Sequence, residues 1–250
     1  MLTGDWSGER RDEWRQVAAE GALDPLLNLA HSVWLARDEI DLLAATGTGV
    51  VLNPQGNLKM KCGIPPIRAL QDAGVRIALG CDNCSCSDAQ NMFMAMKLLA
   101  LLATVSDPVP GPPQAAAAIE AATTAGAQSA RLGHVIGQIA PGYKADLTLV
   151  DMSDPSWSPL NSAARQLVHV EAGRGVRHVV VDGAVVVRDR RLTTIDEDEI
   201  YDGVEAVMPG FRRDFAAISE RVKRLQPWLD KAHQRIVSTE VGLERIHIPF

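Results

Sequence analysis

The sequence predicts an α/β fold in its first half, followed by a small β subdomain and C-terminal helices. Three observations carry this. Short apolar runs alternate with helical segments between residues 26 and 103. Those runs are apolar throughout, as parallel strands covered on both faces are. A proline-rich break, Asp107-Pro-Val-Pro-Gly-Pro-Pro113, then ends the alternation, and later strands alternate apolar with polar residues.

Residues 8–20 are charged and read as a surface helix stopped by Gly21. Residues 26–30 read as a strand ending in His31, and 37–46 as a helix stopped by Gly47. Gly49 to Leu52 is a β-rich run closed by Asn53-Pro54. Pro65 to Ala73 has proline near its start and Gly74 after its end, which is helical punctuation. Val75 to Leu79 is the third strand, and Ser87-Asp88-Ala89-Gln90 has the pattern of a capping box opening a helix to about Ala103. An alanine-rich helix is expected over 114–131, a strand over 145–151, and a hairpin from 176 to 188 turning at Asp182-Gly183. From Phe211 the apolar residues step by three and four, one face of an amphipathic helix that Pro227 kinks or breaks. Domain boundaries are expected at 1–133, 134–195 and 196–250.

The bulk numbers exclude several classes. The chain is 250 residues with 46% hydrophobic and 22% charged residues, an ordinary globular composition. A net charge of −6 with scattered Lys and Arg gives no surface for nucleic acid or an anionic membrane. No apolar run approaches the ~20 residues that span a bilayer, and the start has no signal-peptide pattern. Four cysteines, three of them crowded at 81, 84 and 86, are not a disulfide framework, so the expected compartment is the cytoplasm.

Asp82 is the most informative residue. The run Val75 to Leu79 ends in Gly80-Cys81-Asp82-Asn83, which places a carboxylate at the carboxyl end of a buried parallel strand. Barrel enzymes place their chemistry there, and an acid at that edge can bind a metal or move a proton. The bland alternative is an acid capping a neighbouring turn. His31 ends the first strand, with a packed core histidine as its alternative. Cys81, Cys84 and Cys86 have the spacing of a thiolate metal cluster, for which Cys62 is the remaining thiol.

Four stretches in order resemble the amidohydrolase superfamily, in the branch of cytosine, S-adenosylhomocysteine and triazine deaminases or hydrolases. They are Ala30-His31-Ser32-Val33-Trp34-Leu35, Asn53-Pro54-Gln55-Gly56-Asn57-Leu58-Lys59, Leu79-Gly80-Cys81-Asp82-Asn83, and Ile136-Gly137 through Pro141 to Leu147. The resemblance implies the carboxyl-terminal part of a (β/α)8 TIM-like barrel, strands 6 to 8, with part of a small β-sandwich. It implies Asp82 as a metal ligand and proton shuttle, and His31 as the histidine near the attacking water. Asn53 and Asn57 would shape the loop at the barrel mouth and, with Asn83 and Trp34, bind the substrate. The implied cofactor is a divalent metal, Zn first, with Fe or Mn as alternatives.

The family carries a His-x-His pair on strand 1 and a further histidine and glutamate near strand 5. This sequence has no histidine before His31. Cys81, Asn83, Gly56 and Trp34 also depart from the family's usual Thr, Gly, Ser and second His. The expectation is therefore one part of a metal-dependent amidohydrolase acting on a non-peptide C–N bond, chiefly deamination of an aminated heterocycle. A partner polypeptide would supply strands 1 to 5 and the missing ligands. A non-catalytic subunit, or a truncated inactive fragment, is the alternative. The partners otherwise expected are a small-molecule substrate, with no nucleic acid and no membrane.

Overall fold

The three apolar runs pair side by side in sequence order as a parallel sheet, β1 (Asn28–Ala30), β2 (Gly49–Leu52) and β3 (Ile77–Leu79). The computed structural model describes residues 16–107, 109 and 111–239. Leu29 is level with Val50, and Val50 with Ile77, so the strands end at one edge. The ladder extends one residue past two of them, through His31 N–H to the Val51 carbonyl and Gly80 N–H to that of Leu52, both 2.9 Å.

Parallel neighbours need crossovers, and helices supply them. They are α1 (Arg37–Thr46) between β1 and β2, then α2 (Pro54–Lys59) and α3 (Ile67–Asp72) between β2 and β3. In α1, Glu39 accepts the Ala36 N–H at 2.6 Å, and Gly47 ends the helix at φ +71°. After β3 come α4 (Cys84–Ser87), α5 (Met92–Val105), α6 (Ala115–Ala122) and α7 (Thr124–Ser129). Ile40 and Leu43 of α1, Val50 and Leu52 of β2, and Ile67 and Leu70 of α3 are fully buried in one core with Leu99 of α5. Val168 joins it from α8 (Ala163–His169).

The second sheet is antiparallel, in the order β4 (Leu147–Val150), β5 (Val176–Val181), β6 (Ala184–Arg188) and β7 (Arg191–Leu192). Asp182 and Gly183 both take positive φ, +50° and +83°, as the hairpin turn requires. The chain then enters α9 (Glu197–Ser238), 42 residues long, capped by Asp196, whose carboxylate accepts the Asp198 N–H at 3.0 Å. No described helix is long and apolar enough to cross a membrane.

Several expectations change. The first strand begins at Asn28, because the Asp24 side chain takes the Leu26 and Leu27 N–H groups into a turn. Ser87 opens no helix: it ends α4 and donates to the Ala89 carbonyl at 2.8 Å. Asn91 caps α5 instead, accepting the Met94 N–H at 3.1 Å. The alanine-rich segment breaks at Thr123 (φ −121°, ψ −90°) into two helices. Among the described residues the C-terminal helices are one, which starts well before Phe211 and runs through both Pro209 and Pro227. The predicted 8–20 helix is described from residue 16, where four residues are helical; its earlier part lies outside the described residues. Asn28, a polar residue in a buried strand, finds its partners in the Ser129 carbonyl at 3.0 Å and Arg76 at 3.3 Å.

Ile67 and Leu70 sit under the sheet with no exposed surface. Ile67→Ala and Leu70→Ala are each expected to destabilise by about 2–5 kcal/mol, through lost burial and the cavity left behind. Urea denaturation followed by circular dichroism reads this as a lower midpoint at unchanged slope.

Candidate active site

The shared carboxyl edge of β1, β2 and β3 gathers His31, Asn53 and Asp82, one from the end of each strand. His31 Nε2 stands 3.8 Å from Asp82 Oδ2. Both residues leave their strands in the left-handed region, at φ +66° and +58°. That conformation costs a non-glycine residue about 1–2 kcal/mol, so surrounding bonds must hold it.

The loop after β2 supplies them. Asn53 Oδ1 accepts the Asp82 N–H at 3.1 Å, and Asn57 Oδ1 lies 2.7 Å from His31 Nδ1. With an acceptor on Nδ1, the ring keeps its proton there and turns Nε2 toward Asp82. Asp82 Oδ1 accepts the Asn83 N–H at 2.7 Å, which leaves Oδ2 facing His31. Gln90, which sequence reasoning missed, donates to the Asp82 carbonyl at 2.5 Å; nothing in its local pattern marks it.

Two glycines make room. A Cβ at Gly80 would lie 2.4 Å from Asn53 Oδ1, and one at Gly56 would lie 3.2 Å from Asp82 Oδ2. The glycine standing where the family resemblance suggests serine therefore lets α2 approach the carboxylate.

Of the residues expected beside the substrate, Asn53 and Asn57 are buried and turned onto Asp82 and His31. Their geometry is that of positioning residues. Asn57 Nδ2 is buried without a hydrogen-bond partner. Asn83 caps α4, its Oδ1 accepting the Cys86 N–H at 3.0 Å and the Ser85 hydroxyl at 2.6 Å. Trp34 is exposed beside Gly63, where an added Cβ would meet its ring at 3.4 Å.

Asp82 Oδ2 beside an imidazole suits one donor of a divalent cation and an adjacent acid–base group. Among the described residues, no three His, Cys, Asp or Glu side chains converge as a metal-binding group. The donor set thus fits a metal as one ligand and needs others. The same observation removes the thiolate-cluster reading of Cys81, Cys84 and Cys86. Burial pushes the Cys81 thiol up, against a backbone hydrogen bond from Asn91 that lowers it, while Cys84 is exposed.

Two outcomes follow. Gly80→Ala is expected to displace Asn53 and destabilise by about 1–3 kcal/mol through overpacking, read as a lower thermal midpoint. Iodoacetamide near pH 8 is expected to alkylate Cys84 before Cys81 in peptide mass spectra, because thiolate fraction and access set the rate.

The sequence profile described as the amidohydrolase family matches residues 7–186. A 5-methylthioadenosine/S-adenosylhomocysteine deaminase from Nitratidesulfovibrio vulgaris is 36% identical over 195 residues, covering 77% of this chain and 43% of that enzyme. A 5'-deoxyadenosine deaminase from Methanosarcina mazei is 33% identical over 182 residues, covering 73% and 42%. A crystal structure of an adenosine deaminase from Xanthomonas campestris with bound zinc is similar at a TM-score of 0.76 and 30% identity, over 80% of this chain and 45% of that one. Atrazine chlorohydrolase from Arthrobacter aurescens, complexed with zinc, follows at 0.71 and 26%, over 78% and 44%. The chain spans less than half the length of each of these relatives. With most of its residues inside the family profile, the chain belongs to the amidohydrolase family.

Proposed function

We propose that the carboxyl edge of β1–β3 is one wall of a metal-dependent amidohydrolase site. The reaction is hydrolytic deamination of an adenosine-like nucleoside: water adds at the ring carbon bearing the amino group, and ammonia leaves. The observation that carries this is the His31–Asp82 pair, 3.8 Å apart at the shared strand edge of an amidohydrolase chain. Support for the substrate class comes from relatives named as deaminases of adenosine derivatives.

In this reading the three strands are strands 6 to 8 of a (β/α)8 barrel, and a partner polypeptide supplies strands 1 to 5. His31 and Asp82 are the ligand-type pair at this edge, and no three such side chains converge among the described residues, so a second and third ligand must come from strands other than these three. Asp82 holds the metal, zinc by analogy with the zinc-bound neighbours. A divalent metal, when bound, lowers the pKa of water toward ~7. Asp82 takes a proton from the attacking water and returns it to the departing nitrogen. His31, its ring held by Asn57, presents Nε2 to the charge that develops at the reacting carbon's oxygen. Asn53 fixes the backbone of Asp82. Trp34 and Asn83, at the rim, border the substrate.

One observation favours a second reading, a scaffold subunit without catalytic residues: no three metal-ligating side chains converge among the described residues. A single experiment separates the two. The chain is produced alone and together with a polypeptide carrying amidohydrolase strands 1 to 5, and zinc content and ammonia release from adenosine derivatives are measured. Activity and zinc are expected only in the assembled form. There, Asp82→Asn is expected to lower kcat about 10²–10⁴-fold, the range of a proton-transfer group, and to reduce zinc content. Unchanged turnover in that variant would establish the scaffold reading.

A further inference from the structure

The helix α9 lies beyond the residues matched by the family profile, which end at 186, so the family likeness does not account for what covers it. Its first turn is tied to the β subdomain by Arg191, which pairs with Glu197 at 3.3 Å and Asp198 at 3.0 Å. Beyond that turn it carries an apolar stripe from Ile200 to Ile236. The stripe advances one residue per turn, ten steps in 36 residues, the 3.6-residue period of a straight helix. From Ile200 to Ile236 its large side chains are between 43% and 65% exposed. Monomers rarely leave more than a few hundred Å² of contiguous apolar surface in water, so the stripe calls for an occupant.

The sequence of the stripe says which. Seven of its ten large apolar residues are symmetric about Ile218, whereas Val204 falls opposite Ala232, Phe215 opposite Arg221 and Val222 opposite Asp214. Ile200 and Ile236 lie 18 residues either side of Ile218, Val207 and Leu229 lie 11, and Phe211 and Leu225 lie seven. The two prolines obey the same symmetry, since Pro209 and Pro227 each lie nine residues from Ile218. A proline removes a helical hydrogen bond and bends the axis. Two helices stay in contact past such bends only if the bends match, and an antiparallel pair centred on Ile218 sets each Pro209 against a Pro227.

Charge fixes the direction. Residues 197–210 carry five acids and no base, whereas residues 211–238 carry seven bases and three acids. A parallel pair would also align each proline with itself, but would lay the acidic end on the acidic end. The antiparallel pair lays Glu199, Asp202 and Glu205 near Lys231 and Arg235. Near the axis Arg212 and Arg213 meet Lys223 and Arg224 in the antiparallel pair and their own copies in a parallel one, so base faces base in both and this repulsion does not choose between them. Asp214 and Glu220 lie among those bases, and Glu220 accepts from Lys223 at 2.7 Å.

We propose that α9 is a homodimerisation helix, pairing antiparallel with α9 of a second copy of this chain about a two-fold axis at Ile218. This is independent of the catalytic reading: it uses no residue of the candidate site.

The full chain is examined by sedimentation equilibrium and by oxidative cross-linking of single-cysteine additions, with bridges mapped by mass spectrometry. The expected result is a species of twice 26.9 kDa. Ile218→Cys bridges to itself across the axis. Val207→Cys alone does not, because the two copies lie ~33 Å apart at ~1.5 Å rise per residue, yet it bridges to Leu229→Cys when the two variants are mixed. Leu225→Asp gives a monomer with unchanged helix content. If that variant misfolds, the cross-linking pattern still decides. A monomer at tens of micromolar, self-bridging of Val207→Cys, or association of α9 only with a different polypeptide would overturn the proposal.

Discussion

The arrangement of the site depends on two asparagines in one loop, reaching in opposite directions from the central strand. Asn53 accepts the backbone N–H of Asp82 on one side, and Asn57 meets the ring of His31 on the other. Both are buried, and burial raises the cost of losing the bonds their oxygens make, although Asn57 Nδ2 itself lacks a partner. The requirement runs both ways. The amides need the partners, and the partners need the amides, because His31 and Asp82 both hold a left-handed backbone that their side chains disfavour. Because β2 lies between β1 and β3, its loop is the one element that reaches both neighbours at once. Gly80 and Gly56 follow from the same constraint, since a Cβ at either would press on Asn53 or on Asp82.

Much of this was legible in the sequence, for a physical reason. Apolar runs interrupted by helical punctuation force parallel pairing, and parallel pairing in sequence order forces a common edge. His31, Asn53 and Asp82 could thus be placed at that edge from strand ends alone. What could not be read was direction. Asn53 and Asn57 look like loop residues open to a ligand, and only three-dimensional packing turns them inward. Ser87 misled because its capping-box pattern competes with Asn91, four residues on, and the bend that α4 introduces decides between them. Of the two outcomes open at Pro227 the break does not occur, because proline's cost to a helix is local, while the chain on both sides of it gains from continuing. Thr123 gave no warning of the break in the alanine-rich segment: its hydroxyl bonds back to the Ile119 carbonyl at 2.7 Å, an interaction that side chain makes within helices too.

The polar edge and the long helix solve opposite problems. At the edge, polar groups are held in place and more ligands are wanted. Along α9, apolar groups are in regular order and water is in excess. In the two proposals their demands differ in kind: the edge would take residues of different chemistry, the helix a second copy of its own pattern. One chain can meet both needs simultaneously because the two surfaces use different residues.

Completion of the edge also carries an electrostatic condition. Asp82 has His31 as its ion-pair partner among the described residues, at a distance too long for a hydrogen bond. A carboxylate in that state is tolerable while water reaches it. Covering it with further barrel strands withdraws that water, and an uncompensated buried charge costs several kcal/mol. His31 can offset this only when protonated, which would cost it the free Nε2 lone pair. A divalent cation offsets it without that loss. In the proposed enzyme the metal and the missing strands are therefore coupled: strands that exclude water make the cation necessary, and the cation makes the exclusion of water affordable to Asp82. In that proposal the described residues place the carboxylate and its orienting partners, and the strands that would bury it would bring the rest of the ligand set.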